Sequence, residues 1–161
     1  MLANIETIFM KKFYLILTLI LVNFINSYAQ DVITVQQQKE FEKIAQTFQT
    51  KYMAGSENCE YILQVIDENI KMSEIQFSKK MVLTYEQLVQ FCPHLPNKEV
   101  VETITEQRLL SKELGFDYVS QLYLRKSKGD TIRETASRIW KYKNGSWKII
   151  QMNSSLNKAC D

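Results

Sequence analysis

The chain has 161 residues, 45% hydrophobic and 24% charged, with 20 Lys and Arg against 18 Asp and Glu. That is enough for one domain with a real core and too short for two of ordinary size. With 4 Gly and 2 Pro it cannot be collagen-like or low in complexity, and a formal charge of +2 offers nucleic acid or an anionic membrane no strong field.

The chain opens with an address label. Lys11-Lys12, the apolar run Phe13 to Val22 and the small residues Ser27 and Ala29 have the order of a secretory signal peptide cut after Ala29. The run falls short of the ~20 apolar residues that a membrane span needs, so an exported protein with no span after cleavage is expected, periplasmic or secreted. Residues 1–9, ahead of the basic head and of a second Met at position 10, read as an over-long start. The domain itself is then 30–161. Losing 1–29 removes Lys11, Lys12 and Glu6 and leaves a nearly neutral chain. In an oxidising compartment two of Cys59, Cys92 and Cys160 can pair. Three pairings are open, as is a state with three reduced thiols.

Helical spacing of Phe41, Ile44, Ala45, Phe48 and Tyr52 predicts an amphipathic helix over Gln36–Tyr52, ended at Ala54-Gly55-Ser56. Ile62, Val65, Ile66 and Ile70 predict a second from Cys59 to Ile70. Thr84 with Gln87 has the form of a capping box for a short third helix with Leu88 and Phe91 inward, stopped by Pro93 and Pro96. Strands are then expected over Val100–Thr105, Tyr118–Arg125, Thr131–Tyr142 and Ser146–Ser155. Asn144-Gly145 suits the positive φ angles of a tight hairpin turn. Helices followed by strands indicate α+β with an antiparallel sheet.

A two-residue loop at Asn144-Gly145 sets Tyr142 opposite Trp147, Trp140 opposite Ile149, Arg138 opposite Gln151, Ala136 opposite Asn153 and Glu134 opposite Ser155. All of these then share one face. Glu134, Arg138, Gln151 and Asn153 over a floor of Trp140 are therefore the candidate ligand-binding residues. The opposite face would carry Ile139, Ile150 and Met152 between lysines, a candidate dimer contact.

The helices, the strand-rich second half and the stretch Ile139-Trp140-Lys141-Tyr142-Lys143-Asn144-Gly145-Ser146-Trp147-Lys148-Ile149-Ile150 resemble the nuclear transport factor 2-like superfamily. Its SnoaL-like and ketosteroid-isomerase-like members end in a Trp-x-x-x-x-Gly-x-Trp hairpin of this kind. The resemblance spans about Gln36 to Ser155 and implies a cone-like curved antiparallel sheet wrapping the N-terminal helices, often dimeric through the sheet's outer face. Trp140, Trp147 and Asn144-Gly145 match the hairpin, whereas Asn153 stands where many related domains carry His, and Asn cannot serve as a general base.

No phosphate loop or nucleophile elbow is present. His94 and the scattered cysteines do not have the spacing of a zinc site, so neither cofactor nor metal is expected. The reading taken is a non-catalytic binding or interaction module whose cone holds a small apolar or amphipathic ligand. The alternative is an isomerase, cyclase or hydratase of the ketosteroid-isomerase type, with Glu134, Asp67 or Asp117 as base and Tyr85, Tyr118, Tyr123 or Asn153 as donor. A third reading is a domain that dimerises with its cone packed shut.

Overall fold

The computed structural model describes residues 32–125 and 129–159. The expected signal peptide and Cys160 lie outside them. Helix α1, Val35–Ala54, starts at a reciprocal cap: the Thr34 side chain accepts the Gln37 N–H at 3.1 Å, and Gln37 Oε1 accepts the Thr34 N–H at 2.9 Å. Its buried stripe of Phe41, Ala45, Phe48 and Met53 also includes a polar member, Gln49.

Gly55 ends α1 at φ 88°, and a Cβ there would lie 2.8 Å from the backbone of Leu95, Pro96 and Asn97. Only glycine satisfies both conditions. This close approach clamps residues 92–98 to the end of α1, where the Ser56 N–H donates to the Leu95 carbonyl at 3.0 Å and the Lys98 N–H to that of Met53 at 2.9 Å. The Cys59–Cys92 disulfide fastens the same strap at its other end, so one of the three open pairings forms.

Helix α2 runs only from Cys59 to Val65, and strand β1, Ile66–Gln76, follows at once. The helix expected to reach Ile70 is thus cut short, because Ile66, Ile70 and Met72 also fit the alternation of a strand and all three are buried. Strand β2, Lys79–Leu83, completes a hairpin that the sequence did not announce. Its turn places Phe77 and Ser78 at φ 46° and 71° without Gly or Asn. Helix α3, Tyr85–Phe91, has the expected Thr84–Gln87 capping box. Strands β3 (Glu99–Leu109), β4 (Leu114–Arg125), β5 (Asp130–Lys143) and β6 (Ser146–Lys158) extend the expected strands at their ends.

The six strands form one curved, unclosed sheet in the order β2-β1-β6-β5-β4-β3. Every pairing is antiparallel except that of β1 with β6, which is parallel. Phe41, Phe48, Ile62, Trp140 and Ile149 fill the space between the helices and the inner face. Gly115 lies opposite Trp140, and its missing side chain admits the Phe41 ring, whose Cζ would stand 2.4 Å from a Cβ.

Ser78→Gly should raise the urea unfolding midpoint, with a gain of about 0.5–1 kcal/mol, by removing the cost of a side chain at positive φ. An unchanged or lower midpoint would show that the turn carries no such strain.

Candidate functional site

The inner face of β4 and β5 carries a run of directly opposed pairs: Gly115 with Trp140, Asp117 with Arg138, Val119 with Ala136, Gln121 with Glu134 and Tyr123 with Ile132. This register brings the buried acid Asp117 against the buried base Arg138. Arg138 Nε donates to both Asp117 oxygens, at 2.9 and 3.1 Å, and Nη2 donates to Oδ2 at 2.6 Å. Trp140 Nε1 donates to Asp117 Oδ1 at 3.0 Å. From α1, Gln49 accepts from Arg138 Nη1 at 2.6 Å and passes the chain on, Nε2 to Gln121 Oε1 at 2.8 Å. The Phe48 ring lies 5.0 Å from the guanidinium carbon. Asp117 is 0% and Arg138 2% exposed, so two full charges are taken out of water, and each guanidinium nitrogen has an acceptor there.

Nearer the open end of the sheet lies a second ion pair. Lys98, on the strap that precedes β3, reaches Glu134 Oε2 with its Nζ at 2.5 Å, and both side chains are under a tenth exposed. The Nζ also lies 4.9 Å from the centroids of Tyr52 and Tyr123. Burial pushes the Tyr52 phenol well above its ordinary pKa; the carboxylates of Glu134 and Glu74 add to the shift and Arg138 opposes it.

Three of the five residues proposed from sequence, Glu134, Arg138 and Trp140, face inward and belong to this network. Gln151 and Asn153 do not. Trp140 still opposes Ile149, but Ile139 opposes Gln151, leaving Ile150 as an extra residue on β6. Beyond this bulge the alternation inverts. Arg138 faces Met152, Ala136 faces Ser154, and Glu134 faces Leu156. Gln151 and Asn153 turn to the outer face, where Asn153 accepts from Ser73 at 2.7 Å and both border a groove of about 540 Å³ beside β1 and β2.

Of the candidate catalytic groups only Glu134 and Tyr123 come together among the described residues, both at the Lys98 ammonium. Asp67 is a β1 residue that holds Lys143 at 2.7 Å, an interaction that lowers its carboxyl pKa. Asp117 and Glu134 are buried, each against a cation. Tyr85 donates to the Leu63 carbonyl at 3.4 Å, and Tyr118 lies on the outer face.

Gln49, Gln121 and Lys98 had no sequence signal of their own. The first two are polar positions inside otherwise apolar spacing, and Lys98 acts from a loop. Between Phe48, Tyr52, Glu134, Arg138 and Met152 the cone keeps only about 10 Å³ of free space, whereas sites for small molecules run to about 300–1,000 Å³. A larger hollow, about 630 Å³, opens outside the cone between α1, α2 and the β5–β6 turn.

No protein-family model matches the chain, and no curated protein sequence does either. Solved structures do. A protein of Shewanella baltica described as NTF2-like and of unknown function superposes with a TM-score of 0.56 at 10% identity, over 80% of this chain and all of its own. The fold is that of the nuclear transport factor 2-like proteins. A ketosteroid isomerase-like protein of Erwinia carotovora gives 0.54 at 12% identity, over 80% of this chain and all of its own. A protein of Xanthomonas campestris described as a calcium/calmodulin dependent protein kinase II association domain gives 0.50 at 15%, over 71% and 86%. At these identities the likeness is one of fold.

Asp117→Ala should cost about 3–5 kcal/mol by stranding the buried guanidinium, whereas the paired change Asp117→Leu with Arg138→Met should cost clearly less. Chemical denaturation of the three proteins decides this, and equal losses would reject the stranded-charge account. Because the Tyr52 pKa is raised in the folded state, the stability this residue supplies is whole below the unfolded pKa near 10 and falls as pH rises from there toward the folded value. Urea midpoints between pH 8 and 11 should fall less steeply in Tyr52→Phe than in the parent.

Proposed function

We propose that this chain is an exported, non-catalytic interaction domain that associates with a second copy through the outer face of its sheet. The observation that carries the first part is the filled cone: its buried carboxylates are held by Arg138 and Lys98, and about 10 Å³ remains free. A general base of the isomerase type needs a desolvated carboxylate free to take a proton, together with room for substrate beside it. Neither an apolar ligand nor a steroid-sized substrate has such room here.

Association is supported by the outer face. Phe116 opposes Ile139 across β4 and β5, Tyr118 and Leu122 follow on β4, and Ile104 on β3 is 54% exposed. These apolar side chains alternate with the charges of Arg108, Glu106, Glu102 and Arg133 on the same face, the mixed composition of a non-obligate interface. The name of the Xanthomonas campestris neighbour, an association domain, accords with this reading. Export rests on Lys11 to Ala29 and accords with the Cys59–Cys92 disulfide.

Native mass spectrometry of protein purified from the exported fraction should give an apo dimer beginning at Gln30, and Phe116→Arg should convert it to a folded monomer. A co-purifying small molecule that vanishes in Arg138→Ala would overturn the closed-cone reading. A monomeric parent would overturn the association.

A further inference from the structure

The surroundings of Lys98 are those of a receptor for an amine. A carboxylate at 2.5 Å and two aromatic faces at 4.9 Å each converge on one ammonium nitrogen, and the side chain carrying it is 8% exposed. A bare structural ion pair needs only the carboxylate. The two rings add the cation–π contacts by which proteins hold organic ammonium groups. The local charges point the same way. Asp117 is spent on Arg138, which leaves Glu134, with Glu74 of β1 close enough for its charge to act on Tyr52, against the single charge of Lys98. The cation itself arrives from outside the sheet and helices, on a strap attached to the body by Gly55, by two backbone hydrogen bonds and by the disulfide.

We propose that the mouth of the cone is a binding site for a primary alkylammonium group, occupied in this state by the chain's own Lys98. The resident side chain is an internal ligand that keeps the site closed. What it mimics is the end of an unbranched alkylamine, whether a free amine or the lysine of another chain. The proposal deepens the closed-cone reading and is independent of the association.

The test is to empty the site and refill it. In Lys98→Ala the side chain is cut back to Cβ, and n-propylammonium supplies the missing propylene stem and nitrogen. The variant should melt about 10 °C below the parent, because Glu134 is left buried without its partner. Millimolar n-propylammonium chloride should restore at least half of that loss in a saturable way, while 1-propanol and sodium chloride at the same concentrations should not. Lys98→Ala combined with Glu134→Gln should lose the response. The parent should show none at the concentration that saturates the variant, since a tethered lysine competes at millimolar effective concentration.

A lysine amide compared with free propylammonium separates the two sources. A larger shift with the lysine amide points to a partner chain, and a larger shift with the simple amine points to a free metabolite. If Lys98→Ala does not fold alone, refolding it from urea in n-propylammonium should recover soluble protein, with Lys98→Met combined with Glu134→Leu as the control that folds without the amine. A response equal to that of sodium chloride, one that survives Glu134→Gln, or one equally present in the parent would overturn the proposal. The oligomeric state read in the same samples keeps failure of this proposal distinct from failure of the association.

Discussion

The architecture depends on hiding one guanidinium. Arg138 sits in the middle of the inner sheet face, where an apolar side chain would be the cheaper occupant, and the surroundings are arranged to make its charge tolerable. Asp117 is placed opposite it by the β4–β5 register, Trp140 steadies the carboxylate, Gln49 interrupts the greasy stripe of α1 to accept from Nη1, and Phe48 covers the plane. A network of this kind adds little net stability over a well-packed hydrocarbon core. What it does supply is geometric definition, because directional bonds from α1 and β4 meet at one group and fix how the helix lies across the sheet.

That definition bears on function. The inner face of this fold can enclose a cavity, and here the volume is taken up by the chain's own polar groups and by Lys98. Similar backbones carry descriptions as different as isomerase-like and association domain, so the backbone alone selects no use. Two ion pairs, Asp117 with Arg138 and Glu134 with Lys98, occupy the inner face, and the larger hollows lie outside the cone.

Much of this was legible in the sequence. The amphipathic α1, the Thr84 cap, the four C-terminal strands and the Asn144-Gly145 turn follow from periodicity and turn chemistry, and Glu134, Arg138 and Trp140 follow from alternation along β5. The first hairpin was hidden because its turn uses Phe77-Ser78 and because Ile62 to Ile70 satisfies helical and strand spacing together. Gln151 and Asn153 were misplaced by a single unpaired residue, since strict alternation has no term for a bulge. Lys98 was out of reach for a different reason: a loop lysine has no periodicity, and only the fold of the strap around Gly55 shows where its side chain goes.

The bulge at Ile150 also sets how the chain can vary in length. β6 has two phases, with Trp147 and Ile149 inward before the extra residue and Met152, Ser154 and Leu156 inward after it. Removing Ile150 alone would therefore restore plain alternation, with Gln151 and Asn153 still outward and Met152 still inward, whereas a residue removed elsewhere along the strand would transpose inside and outside beyond it. Because β6 is also the parallel partner of β1, the error would pass into both neighbours at once. The bulge is thus a place where the strand can lose a single residue without turning the rest of its side chains inside out.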